Sequence, residues 1–279
     1  MNCYFTVDLE EWFNTHLFRS TIPFSKWDQI EIRIERSTFI LLDLLDKHGI
    51  KATFFVLGWL AERRPDLIKT IHSLGHEIAS HGYSHELIYN QTPSEFSLDI
   101  NKSKAMLSHL TGGTINGYRA PCFSVTPGSD WSLDILKQAG FLYDSSIYPL
   151  RFHPDYGHPS ASRTPFTHPN GLSEFPLNTA NYGKIQLPCS GGAYFRYFTY
   201  PIFKRLVQRV LSQGEDFVFY VHPWELDPKL DSVKIPRLYS TRLFFNTGKT
   251  EYKLKMLMSD FTFKPLRESP NLLLKTTHL

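Results

Sequence analysis

Short apolar runs alternate with segments of helical periodicity along most of this chain, and that alternation restricts it to a parallel α/β architecture. "CYFTV" reads as a buried strand ending at Asp8. In "EIRIERSTFILLDLLDKHG", Ile34, Leu41, Leu42 and Leu45 fall at helical spacing and Gly49 is the stop. "ATFFV" is the next strand. "RPDLIKTIHSLG" is a helix with Pro65 near its first position and Gly75 at its end. "EIAS" is a short strand leading into His81. "TPSEFSLDINKSKAMLSHL" opens with Thr92 and Glu95 at capping-box spacing and Pro93 at the first helical position. "NGYRAP" follows as a strand and exit loop, then a helix in "TPGSDWSLDILKQAG" opened by Thr-Pro, then "FLYD", a strand ending at Asp144. Residues 150–195, rich in Pro, Gly, Ser and His, read as long loops with short strands such as "KIQLP". A helix around Ile202–Ser212 leads to "FVFYV" and His222, and the tail adds the helix "TEYKLKMLMSDF" and a strand-like "FTFKP".

Repeated βα units build a parallel sheet or barrel, and barrel enzymes carry their chemistry at the C-terminal ends of the strands. Asp8, His81, Arg119, Asp144 and His222 each stand at or just past such an end. No internal repeat and no long linker interrupts the pattern, so all 279 residues are expected to form one domain. A net charge of +3 without a basic stripe argues against nucleic acid. The three cysteines, Cys3, Cys122 and Cys189, are widely spaced with no CxxC, which indicates neither a disulfide framework nor a thiolate zinc site. "MNCYFTVDLEEW" has no basic start and does not read as a secretory signal, and the longest apolar run, "ATFFVLGWLA", is too short to span a bilayer. The expectation is a soluble cytoplasmic protein, with peripheral membrane contact left open. An aromatic share of 15% suits an aromatic-lined cleft, although an aromatic core explains it equally well.

The stretch "HEIASHGYSHE" holds His81 and His85, four residues apart, so in a helical turn both imidazoles face one point, as metal ligands do. "TVDLEEW" supplies the acids. On a strand Asp8 and Glu10 share one side, where one can hold an ion and the other take a proton from the attacking water, while Glu11 faces away. The plainer reading is that these acids cover a helix N-terminus or a solvated loop. "NGYRAPCF" offers Arg119 to orient a carboxylate, and Pro121 turns the chain so that the Cys122 backbone N–H can meet an oxyanion. Asp144 in "LYDSSIYP" suits catalysis or the capping of a turn. His222 in "FVFYVHPWEL" is either a core histidine or a general acid.

In order, "TVDLE", "SHGYSH", "YRAP", "YDSS" and "FYVHPWEL" resemble the motifs of the NodB-like polysaccharide deacetylases, carbohydrate esterase family 4. The later segments "CSGGAYFRYF" and "TRLFFNTGKTEYKLKMLMSDFTFKP" resemble a subgroup associated with bacterial surface-polysaccharide genes, with its own C-terminal extension at about residues 227–279. The resemblance implies a distorted (β/α) barrel of seven strands, one divalent metal, zinc before others, and hydrolysis of the N-acetyl group of an amino sugar. By motif, it implies His81 and His85 as metal ligands, Asp8 as general base, Arg119 as its holder, His222 as general acid, and Asp144 as a residue that tunes the acid or lines the site. Two departures stand out. Leu9 occupies the place of the family's second, metal-binding Asp, and strand geometry makes Glu10 the third ligand instead. Phe123 stands where the family has Gly, so the oxyanion loop at Cys122 should differ in shape. The substrate is then an amino sugar of a surface glycan or of its lipid-linked or nucleotide-linked precursor. Two other readings compete: another C–N hydrolase on the same barrel, such as a sugar deformylase or an amidohydrolase, and a non-catalytic carbohydrate-binding relative. Keeping Asp8, His81, His85 and His222 together argues against the last.

Overall fold

A computed structural model describes residues 1–151, 153, 156–183, 185–227 and 243–272. Parts of the expected C-terminal extension, residues 228–242 and 273–279, lie outside the described residues. The strands are β1 (Cys3–Leu9), β2 (Thr53–Val56), β3 (Glu77–Ser80), β4 (Gly117–Tyr118), β5 (Tyr143–Asp144), β6 (Phe166–Thr167), β7 (Ser173–Glu174), β8 (Thr179–Tyr182), β9 (Ile185–Pro188), β10 (Phe217–Val221) and β11 (Phe263–Lys264). Seven of them, in the order β10-β1-β2-β3-β4-β5-β7, run parallel, and they curl into the distorted seven-stranded barrel that the sequence implies. β6 closes one edge antiparallel to β7, and β8–β9 form a separate hairpin. β11 pairs with Cys3 and Tyr4, just before β2 takes over that side of β1 at Thr6. Beyond β10, Gly191 bridges Tyr220; a Cβ there would lie 1.9 Å from the Tyr220 carbonyl oxygen, so the backbone approach requires glycine.

The strands are apolar on both faces because helices cover the outside and side chains fill the inside. Along β1 the alternation is direct: Cys3, Phe5, Val7 and Leu9 join the outer core, whereas Tyr4 belongs to a separate inner cluster with Phe55, Phe123, Tyr143 and Phe175. Thr6 and Asp8, on the same side as Tyr4, both accept hydrogen bonds from Arg119. The sequence's aromatic share is thus mostly core. The outer layer comprises α1 (Ile34–Lys47), α2 (Gly58–Arg63), α3 (Pro65–Ser73), α4 (Pro93–Thr111), α5 (Trp131–Gln138), α6 (Gly192–Tyr197), α7 (Tyr200–Ser212) and a last helix, Thr250–Asp260. Both arms of the α4 capping box form, Thr92 Oγ1 accepting from Glu95 N at 3.3 Å and Glu95 Oε2 from Thr92 N at 2.8 Å. α5 begins later than "TPGSDW" suggests. Ser129 Oγ accepts from Thr126 N at 2.8 Å and donates to the Ser124 carbonyl at 2.9 Å, folding that segment into a turn before the helix starts at Trp131.

Candidate active site

At the C-terminal end of β1 the chain delivers Asp8 and Glu10 to one cleft of about 930 Å³, a volume that includes space open to solvent. Arg119, fully buried beyond β4, donates from Nη1 to Asp8 Oδ1 at 2.8 Å and to Thr6 Oγ1 at 2.8 Å. Its Nε and Nη2 donate to the Ser145 carbonyl at 3.0 Å and hydroxyl at 2.8 Å, and its guanidinium lies 4.2 Å from the Phe55 ring centre. Every face of Arg119 is therefore engaged, which fixes the Asp8 carboxylate in place. Glu11 points elsewhere, as strand alternation implies: its Oε1 accepts from the backbone of Arg33 at 2.5 Å and Ile34 at 2.7 Å, at the start of α1. For this one acid the helix-N-terminus reading holds.

His81 and His85 meet without the helical turn expected of their spacing. They sit in a loop that turns at Gly82 (φ 72°) and again at His85 itself (φ 53°). Asp99 of α4 shapes that loop, accepting from Tyr83 N at 2.7 Å, Ser84 N at 3.0 Å and Ser84 Oγ at 2.6 Å. A Cβ on Gly82 would lie 2.8 Å from Asp99 Oδ2, so residue 82 must be small as well as left-handed. His81 Nδ1 lies 2.8 Å from the Arg119 carbonyl, which makes it the protonated nitrogen and turns the bare Nε2 toward Glu10. Burial holds the His81 imidazole down at about 4, so it is neutral at neutral pH.

Glu10, His81 and His85 offer ligand atoms that all lie within 4.8 Å of one another, and all three side chains are buried. Glu10 Oε2 approaches His85 Nε2 to 2.6 Å and His81 Nε2 to 3.7 Å. Burial alone pushes the Glu10 carboxyl up, but His85, His222 and His81 together draw it down to about 2, leaving it ionised. A buried carboxylate oxygen facing the bare Nε2 of His81 sets two lone pairs against each other, which is costly unless a cation joins them. Two imidazoles and a carboxylate are also the donor set of many catalytic zinc sites. The residues therefore fit a divalent cation.

His222, just past β10, closes the opposite wall, with Nε2 3.5 Å from Glu10 Oε1. Its Nδ1 lies 2.9 Å from Glu225 Oε1. Burial would lower the His222 imidazole, but the Glu225 hydrogen bond and the charges of Glu10, Glu225 and Asp8 outweigh it and raise it. Cys122 lines the cleft, and both Cys122 (φ 50°) and Phe123 (φ 53°) adopt the left-handed conformation after Pro121. With His85, they are three of the four described non-glycine residues at positive φ, so backbone strain gathers at this cleft.

Asp144 is not part of the cleft lining. It is fully buried at the end of β5, where Ser146 Oγ donates to it at 2.5 Å and Glu174 is its charged neighbour. The acid that reaches His222 is Glu225, three residues along the same "HPWEL" segment, and Arg196 of α6 binds its other oxygen. The i,i+3 spacing of His222 and Glu225 was the sequence signal for the first; nothing local marks the second.

Comparison with known proteins matches two segments of the chain to family models. A model of the polysaccharide deacetylase family matches residues 26–143. The chain carries a polysaccharide deacetylase domain. A model of a domain of unknown function (DUF3473) matches residues 145–270. A peptidoglycan deacetylase of Helicobacter pylori is 34% identical over 116 residues, 42% of this chain and 39% of that protein. A peptidoglycan-N-acetylglucosamine deacetylase of Bacillus cereus is 38% identical over 81 residues, 29% of this chain and 30% of that protein. The chain thus matches well under half the length of these curated relatives. A crystal structure of a candidate polysaccharide deacetylase from Mycobacterium smegmatis has the same fold, with TM-score 0.61 at 20% identity over 98% of this chain and 91% of that one. The deacetylase domain supplies His81, His85 and Arg119, while His222, Glu225 and Arg196 come from the second matched segment and Asp8 and Glu10 precede both.

Proposed function

We propose that this chain is a metal-dependent hydrolase that removes the N-acetyl group from an amino sugar of a glycan. The observation that carries the reading is that Asp8, locked by Arg119, and His222, tied to Glu225, line the same cleft as the Glu10–His81–His85 set. Glu10, His81 and His85 would hold the ion, zinc by donor type, and when bound it supplies Lewis-acid polarisation and an acidified water. Asp8 accepts the proton of the attacking water. Arg119 keeps that carboxylate aimed and prevents it from turning toward the ion. His222 donates from Nε2 to the departing nitrogen, which leaves as the free amine while acetate is released. The Cys122 backbone N–H, in the left-handed turn at the cleft wall, would meet the developing oxyanion.

The reading is tested by acetate release from N-acetylated chito-oligosaccharides and peptidoglycan fragments, using metal-loaded protein. Asp8→Asn should lower kcat by roughly 10²–10⁴-fold while ligand binding persists. Release of formate from an N-formyl sugar, with no acetate from N-acetyl sugars, would move the assignment to a deformylase. Glycan binding without turnover of any acyl sugar would leave a binding protein.

A further inference from the structure

A general acid works only when its proton-bearing nitrogen faces the leaving group, and an imidazole on two rotatable bonds does not face it unaided. In this chain the ring is fixed by a chain of buried charges. Glu225 Oε1 accepts from the His222 backbone N–H at 3.1 Å and lies 2.9 Å from Nδ1. A carboxylate accepts only, so the Nδ1 hydrogen points at Glu225 and Nε2 is left for the cleft. Glu225 Oε2 accepts from Arg196 Nε at 2.6 Å. Arg196 Nη1 in turn donates to the carbonyls of Leu243 and, at 3.0 Å, Phe245. The side chains of Glu225 and Arg196 are 0% and 3% exposed. The Trp224 ring stacks on His222 at 5.1 Å and 23°, and the Arg196 guanidinium lies 5.7 Å from the Trp224 ring centre, so the same arginine backs both partners of the imidazole. Every member belongs to the segment matched by the domain of unknown function.

We propose that Glu225 and Arg196 are positioning residues that keep the Nδ1–H of His222 on Glu225, so that Nε2, which carries the second proton of the imidazolium, is aimed at the leaving nitrogen, and that this is a task of the 145–270 segment. The inference rests on the hydrolase reading. The competing explanation is structural, since Glu225 also caps the turn Pro223–Leu226. Glu225→Gln keeps one acceptor oxygen for that cap, removes the charge and sets an amide –NH2 against Arg196 Nε.

The experiment compares wild type, Glu225→Gln and Arg196→Lys, each metal-loaded, on two substrates. An N-acetylated chito-oligosaccharide needs its leaving amine protonated, whereas 4-nitrophenyl acetate releases a phenolate that needs no acid. Glu225→Gln should lower kcat on the acetamide by roughly 10–100-fold with KM and metal content unchanged, and change the aryl acetate rate by less than about 3-fold. Arg196→Lys should show the same selectivity with a smaller loss. Equal losses on both substrates, or none on either, overturn the proposal. Nitrogen-15 signals of the His222 ring give a second readout that needs no turnover. They should show Nδ1 protonated in wild type and mixed tautomers in Glu225→Ala. A wild type inactive on both substrates sinks the hydrolase reading itself, and an unchanged tautomer in Glu225→Ala then overturns the positioning claim separately.

Discussion

Asp99 is no candidate ligand, yet three hydrogen bonds that its carboxylate accepts from Tyr83 and Ser84 shape the loop that carries His85. Without them the His81–His85 loop has a left-handed glycine and a left-handed histidine to support, and the two imidazoles lose their common focus. Asp99→Ala should weaken zinc binding by roughly 10–100-fold, as removal of supporting groups around metal ligands does, with little change in Asp8 or His222. Zinc titration with a competing chelator measures this, and an unchanged affinity would show that the loop holds itself. Asp8, His81, Arg119 and His222 stand out in the sequence because each motif couples a chemically apt side chain to the end of an apolar run. Glu10 followed from period-two alternation together with the family resemblance, in which Leu9 leaves the usual metal-binding place without an acid. The helical convergence of His81 and His85 did not hold, because spacing carries no record of the Asp99 contact, which comes from a residue on another element. Arg196 was invisible for the same reason: its partner Glu225 is brought to it by folding, not by sequence spacing.

Two short strands, β5 and β7, set Asp144 and Glu174 side by side in the interior, fully buried. Glu174 Oε1 accepts from Ile147 N at 3.1 Å, its Oε2 lies 3.6 Å from His168 Nε2, and Arg119 is the nearby cation. Burial raises the Glu174 carboxyl from 4.5 to about 7, and burial with the Glu174 charge raises Asp144 well above its ordinary value. The folded state thus keeps protons that the unfolded chain has already released above pH about 4.5, and linkage then requires stability to fall as pH rises from there to about 7. Glu174→Gln should flatten that part of the profile. Denaturant midpoints of both proteins across this window check it, and parallel profiles would mean the pair is ionised in the fold. The same two elements show why Asp144 misled a reading of the sequence. Standing at a strand end is necessary for a place in the cleft but not sufficient, because β5 is only two residues long and the chain turns its carboxylate inward toward Ser146 and Glu174.

The two family matches divide the chain between residues 143 and 145, but the sheet does not divide there. β1, which carries Asp8, pairs on one side with β2 and on the other with β10 over Cys3–Val7, and with β11 at its start. Phe5 packs at 5.1 Å from Phe219 and 5.5 Å from Phe263, both far along the chain. Sequence periodicity reveals each of these strands and cannot show that the first and the tenth are neighbours; that fact appears only in the folded sheet, where β10 adds beside β1. A chain ending at Asp144 would leave β1 without these partners. Uncovering the Phe5 face costs roughly 1.5–3 kcal/mol per large apolar side chain, and uncovering several is comparable to the roughly 5–15 kcal/mol that holds a domain together. We therefore expect residues 1–144 alone to show no cooperative thermal transition and to retain no zinc, although Glu10, His81 and His85 are all present. A sharp transition and one tightly held metal in that fragment would mean that the second segment is an accessory to a complete barrel. Their absence would mean that both segments build one domain whose cleft exists only when β10 brings His222 and Glu225 alongside β1.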